Sequence, residues 1–517
     1  MSRTKKSVKN LYISTICYIA SILMSFVLRT IFIMILDAEY LGVNSLFTNI
    51  LSFLSLAELG IGTAIVYALY KPLADDNQEL IKTYMYIYKK IYMIVGCFVA
   101  VVGIALVPFL PYLISGETNI ENLSVIYVLF VLNSASSYFF SYNQSLLNAD
   151  QKIYIVKAQT EIFKFMCQVL QIIFLFLTKQ YLIYLIISII FTLLTNISIY
   201  IKTMKLYPFL KDKNIKPLDG EAKQKLITNV RAIFLHKIGA MLVYNVDTII
   251  ISAFLGLTIV GIYSNYTMIT VAITGIITII DNSVRASLGN YTAKENREKS
   301  YNMFLLNDFI WFSIYLFCSV CLINLLNPFI ADLWIKDEFY LFSSWEVLII
   351  VANFFFVGLR KNVLLYKDLY GVFAPDRYKP LIEGVCNVVL SLILINYLGF
   401  SGVLIATIIT NITINLIVEP YVVFKHGLKR NVKTYYLRLA YYIASAIIIV
   451  GFSIYINSFI TGTSIISFII RGIICCITFA VGLTIFYFKS NEYKKCIQMS
   501  FGICNTIKTK LMSKSTN

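Results

Sequence analysis

A set of ionisable side chains lies inside long apolar segments of this sequence, where a charge costs several kcal/mol unless it faces a cavity or a partner. The set comprises Arg29, Glu58, His236, Lys237, Asp247, Arg360 and Lys361. Lysine and arginine bind phosphate oxygens through charge-assisted hydrogen bonds. A cavity lined by the basic members of the set would therefore accept an anionic substrate. The alternative is that these cations pack between helices or extend to the membrane interface.

Two of these residues share a helix face. His236 and Asp247 are eleven residues apart, which is about three helical turns. We expect Arg29 and Asp247 to lie at similar depth in equivalent helices, to face each other across a central cavity, and to pair when its outer mouth closes. The alternative is two separately satisfied structural charges.

Motifs of enzymatic chemistry are absent from the sequence. It has no G-x-x-x-x-G-K-[ST] phosphate loop, no Ser/His/Asp set and no metal-ligand cluster, and its histidines are His236 and His426. The C-x-x-C of Cys318 and Cys321 lies in an apolar run without a histidine or acidic neighbour, so we interpret it as helix packing. We therefore expect a protein that is not an enzyme and has no cofactor or metal.

The elements that must position these side chains are transmembrane helices. The sequence is 59% hydrophobic and 14% charged, with a mean hydropathy of +0.77, whereas soluble domains are about 45–50% apolar and about 25% charged. It contains about fourteen apolar segments, each of about 20–28 residues, which is long enough to cross a bilayer as a helix. The second segment spans Gly42–Tyr70 and the seventh spans Asn229–Leu255. The pattern predicts an all-α polytopic membrane protein.

Basic residues alternate between the gaps that separate these segments. The odd-numbered gaps contain only Lys179 and Lys336, whereas the termini and the even-numbered gaps contain almost all other loop lysines and arginines. The positive-inside rule therefore predicts that both termini are cytoplasmic. The net charge of +17 is explained by this anchoring, and we expect no nucleic-acid partner.

The gap with the most basic residues contains Pro208, Pro217 and Gly220, and it has the composition of a linker between two halves. We predict an N-terminal six-helix lobe (1–204), a basic cytoplasmic linker (205–227), a C-terminal six-helix lobe (228–424), a helix pair (425–488) and a basic cytoplasmic tail (489–517). Such internal repeats are typical of transporters.

A weak internal sequence repeat supports the division into two halves. The segment Arg29-Thr30-Ile31-Phe32-Ile33 is similar to Asp247-Thr248-Ile249-Ile250-Ile251, and Leu41-Gly42 and Val260-Gly261 follow at nearly equal spacing. Both copies start from the same side of the membrane. The repeat is therefore parallel, with a pseudo-twofold axis along the membrane normal.

Two local motifs carry a family resemblance. The first runs from Leu41-Gly42 through Leu56-Ala57-Glu58-Leu59-Gly60-Ile61-Gly62 to Tyr70-Lys71-Pro72-Leu73-Ala74. The second runs from Asp368-Leu369-Tyr370-Gly371 through Asp376-Arg377-Tyr378-Lys379-Pro380-Leu381-Ile382-Glu383 to Asn387, Ser391, Gly399, Gly402-Val403 and Thr407. With the helix pattern, they resemble the polysaccharide transporters of the multidrug/oligosaccharidyl-lipid/polysaccharide (MOP) exporter superfamily, and in particular the Wzx-type O-antigen and capsule repeat-unit flippases.

The resemblance implies two pseudo-symmetric six-helix lobes plus a C-terminal helix pair in the bacterial plasma membrane. It implies an undecaprenyl-diphosphate-linked oligosaccharide as substrate, with polysaccharide polymerase and glycosyltransferases as partners. Arg29 matches the first-helix arginine of the family's cationic cavity. Coupling to H⁺ or Na⁺ would use Glu58, His236 or Asp247. The sequence lacks the mid-helix arginine that lipid II flippases have on their eighth helix, which disfavours that assignment.

Two alternatives remain open at this stage. One is a cation-coupled multidrug exporter on the same fold, which would need a more acidic cavity. The other is a polyprenyl-dependent membrane glycosyltransferase or polymerase, suggested by the acidic pair in Asp37-Ala38-Glu39. Such enzymes generally need large external loops, and the external gaps here are short.

Overall fold

The structure is a computed structural model, and it describes residues 3–55, 61–116, 118, 120–212, 214–218, 220, 224 and 245–499. The described residues form helices and connecting turns, with no β-strand among them. The prediction of an all-α protein is therefore confirmed.

Twelve helices in the described part of the chain are long and apolar enough to cross a membrane. Two shorter apolar helices, Ala64–Ala74 and Asn245–Leu255, fall in the second and seventh predicted segments. Both of those segments also contain residues outside the described ranges, so the count of fourteen stays a prediction. The protein is a multi-pass membrane protein.

The chain divides into two compact units. Unit 1 comprises Met1–Ile276 and Tyr378–Val403. Its helices are α1 (Arg3–Ile35), α2 (Ala38–Leu54), α3 (Ile61–Ala74), α4 (Gln78–Ala105), α5 (Leu123–Ala149), α6 (Ile153–Thr178), α7 (Tyr181–Leu206), α8 (Asn245–Leu255), the first half of α9 (Leu257–Lys294), α13 (Lys379–Leu398) and the start of α14 (Phe400–Thr410). Short 3₁₀ turns cover Val107–Leu113 and Pro208–Lys211.

Unit 2 comprises Ile277–Arg377 and Leu404–Asn517. Its helices are the remainder of α9 and α14, α10 (Arg297–Pro328), α11 (Ser344–Leu359), α12 (Lys361–Tyr370), α15 (Leu416–Val422), α16 (Lys433–Asn457), α17 (Ile465–Tyr487) and α18 (491–499). Short 3₁₀ turns cover Glu338–Tyr340 and Ala374–Asp376, and π-helical turns cover Phe329–Trp334, Asn411–Asn415 and Val423–Leu428. The division into lobes, linker, helix pair and tail given above stays a prediction.

Two glycines bring α2 and the start of α9 together in unit 1. A Cβ atom on Gly42 would overlap the carbonyl oxygen of Leu257, and a Cβ atom on Gly261 would overlap that of Ala38. Small residues spaced four apart allow membrane helices to approach this closely. The contact is reciprocal, and it joins the two glycines that end the two copies of the internal sequence repeat.

Two helix interruptions in unit 2 bring buried polar residues together. α11 ends at Leu359, Arg360 forms its C-cap, and α12 begins at Lys361. The π-helical turn Asn411–Asn415 separates α14 from α15, and it contains two buried asparagines. Such π-helical turns occur frequently at functional sites. Here the interruptions place Arg360 beside residues of α15 and the preceding turn.

Candidate functional site

Three membrane-spanning helices of unit 1 each carry a polar stripe. Most successive members are three or four residues apart, so each stripe occupies one face of its helix. The stripes consist of Ser137, Ser141 and Gln144 on α5, of Thr160, Lys164, Gln168 and Gln171 on α6, and of Ser188, Thr192, Thr195 and Asn196 on α7. Polar groups exposed to lipid are costly, so such faces normally point to a protein interior or to water.

All three stripes line one cavity, which we call the unit 1 pocket. Its volume is about 550 Å³, and Leu28 of α1 completes the lining together with Phe163, Cys167, Tyr184 and Phe191. This volume is within the range of small-molecule sites. No carboxylate is among the described residues of the lining. The pocket therefore combines hydroxyl and amide groups with one lysine.

Amide side chains connect the walls of the unit 1 pocket. Gln144 donates from Nε2 to Oδ1 of Asn196 at 3.1 Å, which joins α5 to α7. Gln171 donates from Nε2 to the carbonyl oxygen of Tyr184 at 3.1 Å, which joins α6 to α7. These bonds hold the amides in defined orientations, and their remaining donors and acceptors are available for recognition of a polar ligand.

Lys164 is the charged residue of the unit 1 pocket. It lies near the middle of the 26-residue helix α6 and is exposed there. Its Nζ donates to Ser21 Oγ of α1 at 2.7 Å, and the neighbouring Gln168 donates to Ser25 Oγ at 3.1 Å. Among the described residues, no carboxylate forms an ion pair with Lys164. An ammonium group without an ion-pair partner at mid-membrane depth marks a candidate site for an anion or a polar substrate.

Arg29 lies beside this pocket, adjacent in sequence to Leu28. Its Nη2 donates to the carbonyl oxygen of Ser264 at 3.2 Å and to Ser264 Oγ at 3.0 Å. Its guanidinium also lies close enough to Tyr184, a pocket residue, to interact with the phenol group electrostatically. Unit 1 thus places Arg29 next to the cavity that contains Lys164.

Among the described residues, Arg29 donates its hydrogen bonds to Ser264, and no ion pair joins it to Asp247. Asp247 lies on α8, close enough to Tyr263 of α9 for electrostatic interaction. Their pairing in another conformation stays a prediction.

Arg360 forms a buried ion pair in unit 2. It donates from Nε to Glu419 Oε2 at 3.0 Å and from Nη2 to Glu419 Oε1 at 2.7 Å, a bidentate arrangement. Its Nη1 donates to Asn411 Oδ1 at 2.7 Å. The side chain of Glu419 is 2% exposed, so the charge of Arg360 is neutralised within the protein. This geometry corresponds to the packing alternative of the sequence analysis.

Lys361 belongs to a second charge network in unit 2. Its Nζ lies 3.4 Å from Oδ2 of Asp281 on α9. Arg285, one turn further along α9, lies 3.1 Å from the same oxygen and also pairs with Asp368 on α12. The network contains two cations and two anions, so its charges balance.

Three of the residues selected from the sequence, Glu58, His236 and Lys237, lie outside the described residues. The signal that would have found the unit 1 pocket was present in the sequence. It is the recurrence of Ser, Thr, Gln and Asn at helical spacing on three consecutive apolar segments. Lys164 gave a second signal, because it lies in the middle of one of them.

The helices of this chain have the fold of MOP superfamily transporters. The structure is similar to an inward-facing multidrug resistance MATE family transporter of that superfamily, with a TM-score of 0.63 at 16% identity over 79% of this chain and 95% of the other. It is similar to the lipid II flippase MurJ in an inward closed conformation, with a TM-score of 0.62 at 16% identity over 92% and 98%. It is also similar to a MOP superfamily transporter from Pyrococcus furiosus, with a TM-score of 0.53 at 14% identity over 83% of this chain and 97% of the other.

At these identities the similarity shows the fold alone, whereas the sequence itself shows the family. Residues 7–286 match the family described as polysaccharide biosynthesis protein. Because this match covers more than half of the 517 residues, the chain belongs to that family. No curated protein matches the sequence significantly. The predicted resemblance is confirmed to this extent: the sequence belongs to a polysaccharide biosynthesis family, and the fold is that of MOP superfamily transporters.

Proposed function

We propose that this protein is a flippase that translocates undecaprenyl-diphosphate-linked oligosaccharide repeat units across the bacterial plasma membrane by alternating access. The repeat units would supply the synthesis of a capsule, O-antigen or teichuronic-type polysaccharide. Support comes from the polysaccharide biosynthesis family and the flippase and transporter fold. The single observation that carries the proposal is the unit 1 pocket with its uncompensated lysine.

The lining of the unit 1 pocket suits a glycan. Sugar hydroxyls both donate and accept hydrogen bonds, and so do the hydroxyls and amides of the three polar stripes. Moving a hydroxyl from water into an apolar environment without a partner costs about 2–7 kcal/mol. A pocket that provides such partners at mid-membrane depth would remove most of this cost for each sugar hydroxyl that it binds.

The positive charges suit the diphosphate. Lys164 lines the unit 1 pocket and Arg29 lies beside it, and both residue types bind phosphate oxygens through charge-assisted hydrogen bonds. In the proposed cycle, the head group enters from the cytoplasmic side while the polyprenyl tail stays in lipid. Reorientation of the protein then opens the site to the other side and releases the head group there.

The alternatives receive less support from the pocket. A cation-coupled multidrug exporter would be expected to have acidic residues in a mainly apolar cavity, whereas the described lining has hydroxyls, amides and a lysine. The glycosyltransferase alternative was suggested by Asp37 and Glu39. Asp37 is the N-cap of α2, and Glu39, in the first turn of this helix, accepts a hydrogen bond from Thr118. Coupling to H⁺ or Na⁺ and an association with the polymerase remain part of the proposal.

The test is the leaflet location of the lipid-linked repeat unit. Cells with and without the protein are treated with an externally added glycan-cleaving enzyme or lectin. We expect the unit to become externally accessible only in cells that contain the protein. Without it, undecaprenyl-linked single repeat units accumulate on the cytoplasmic face. Equal accessibility in both strains would exclude the lipid-linked substrate and favour drug export or sugar transfer.

A further inference from the structure

A second polar cavity lies in unit 2, and we call it the unit 2 pocket. It has a volume of about 630 Å³ and lies between the C-terminal ends of α10 and α16 and the N-terminal ends of α11 and α17. Its lining includes Asn324, Asp332, Trp345, Asn457 and Arg471. None of these residues was selected from the sequence, and none belongs to the unit 1 pocket.

Two buried polar atoms of the unit 2 pocket have no hydrogen-bond partner among the described residues. They are Oδ1 of Asn457 and Nε of Arg471. Another atom of each side chain is bonded: Asn457 donates from Nδ2 to the carbonyl oxygen of Ser453 at 2.9 Å, and Arg471 donates from Nη2 to that of Ile460. Asn457 is 4% exposed. A buried polar group without a partner is destabilising, so a ligand whose groups reached and satisfied these atoms would bind favourably.

The two atoms are complementary in kind. Asn457 Oδ1 is an acceptor, and Arg471 Nε carries a proton and is a donor. An alcohol hydroxyl both donates and accepts and therefore matches such a set, whereas an anion could use only the donor and an ammonium group only the acceptor. The carboxylate of Asp332 adds a further acceptor at the same cavity.

The aromatic residue of the unit 2 pocket provides a flat surface. Trp345 lies in the first turn of α11 and is 58% exposed. An exposed indole covers a large apolar area, and the C–H face of a pyranose ring is an apolar surface of matching size. We propose that the unit 2 pocket binds a sugar residue, with its hydroxyls on Asn457 and Arg471 and its ring against Trp345.

The predicted topology places this pocket on the outer side of the membrane, because α10 and α16 begin at basic cytoplasmic gaps and end at the pocket. The occupant would then be a sugar of the exported glycan. This assignment of the source rests on the proposed function, whereas sugar binding itself does not.

The experiment measures binding of free sugars to the purified full-length protein in lipid nanodiscs. Maltoside detergents are avoided because they would compete for the site. The probes are methyl α-glucoside, methyl N-acetyl-α-glucosaminide and glucuronic acid at millimolar concentration. The readouts are saturation-transfer NMR and tryptophan fluorescence.

The variants are Asn457→Leu, Arg471→Met and Trp345→Ala. Asn396→Leu serves as the matched control, because Asn396 is an exposed asparagine of α13 outside the pocket.

We expect at least one probe to bind, and binding to weaken about tenfold in Asn457→Leu and Arg471→Met but to be unchanged in Asn396→Leu. Trp345→Ala tests the same site at a residue that is 58% exposed, so we expect this variant to fold normally. Lys164→Met in the unit 1 pocket should retain binding, even if it abolishes export. No binding of any probe, or binding that none of the three unit 2 variants weakens, would overturn the inference. Loss of binding only in Lys164→Met would place the sugar in unit 1, which overturns the inference but leaves the proposed function intact.

Discussion

Gly42 and Gly261 are in contact at their backbones, since a Cβ atom on Gly261 would lie 3.2 Å from the backbone nitrogen of Gly42. Each glycine also faces the residue four positions before the other, because Gly42 lies against Leu257 and Gly261 against Ala38. A twofold relation between two segments requires this kind of reciprocity. The two positions that end the copies of the internal sequence repeat are therefore neighbours in unit 1.

Substitution of either glycine should separate α2 from α9. In Gly42→Ala and Gly261→Ala, the added methyl group would overlap a backbone carbonyl, which cannot move aside as a side chain can. We expect a lower thermal unfolding midpoint and a lower yield of folded protein, measured by size-exclusion chromatography. Gly451→Ala and Gly472→Ala are the controls, because nothing lies within 4 Å of a Cβ atom there. They should be neutral or slightly stabilising, and an equal loss in all four variants would contradict the explanation.

Lys164 should be required for export but not for folding. Lys164→Met removes the ammonium group and keeps an unbranched apolar chain, so we expect loss of external accessibility of the lipid-linked repeat unit with normal amounts of protein in the membrane. Lys164→Arg should retain partial activity because it keeps the charge. The control is Lys157→Met, which changes an exposed lysine of the same helix outside the pocket. Full export by Lys164→Met would show that the ammonium group does not contact the substrate.

Arg29 should act mainly through its charge. A hydrogen bond to a charged group contributes about 1.5–3 kcal/mol, so Arg29→Met should reduce the export rate about tenfold to a hundredfold. Ser264→Ala should have a smaller effect, since the carbonyl oxygen of Ser264 still accepts from Nη2. The rate of appearance of external glycan is the measurement, with Arg297→Met at an exposed position as the control. A stronger defect in Ser264→Ala than in Arg29→Met would indicate that only the packing of α1 against α9 matters.

The pair Arg360–Glu419 should contribute to stability. Removal of one partner leaves a buried charge and costs about 3–5 kcal/mol, whereas replacement of both by apolar residues is often close to neutral. We therefore expect a large decrease in thermal unfolding midpoint for Arg360→Met and for Glu419→Leu, and recovery in the double variant. Arg430→Met, which breaks the exposed pair with Glu298, should change stability by about 0–1 kcal/mol. Additive effects in the double variant would rule out coupling between Arg360 and Glu419.

The membrane-spanning helices could be predicted from the sequence because the bilayer imposes one length and one composition on each crossing. The apolar run that begins after Asn122 gives α5, which begins at Leu123. The break at Arg360 between α11 and α12 was not predicted, because length and composition do not distinguish one continuous helix from two helices in sequence.

The candidate site was only partly predictable. Arg29 was identified because an arginine inside an apolar run is exceptional. Serine, threonine and glutamine are less exceptional there. Their helical spacing is visible in the sequence, but only the structure shows that α5, α6 and α7 face one cavity. The pairing of Arg360 with Glu419 joins residues 59 positions apart, and no local pattern specifies such a contact.

The polar stripe of α6 also has a consequence for biogenesis. The apolar 18-residue window of α6 has a mean hydropathy of 1.6, compared with 2.3 for that of α7. A lysine at the centre of a helix opposes translocon-mediated insertion by about 2.5–3.5 kcal/mol. The hydrogen bonds of Lys164 and Gln168 go to Ser21 and Ser25 of α1, which is synthesised and inserted earlier. Helix α6 would therefore enter the lipid phase most readily once α1 is present to accept its polar face. The residues that form the pocket would then also set the order in which these helices assemble.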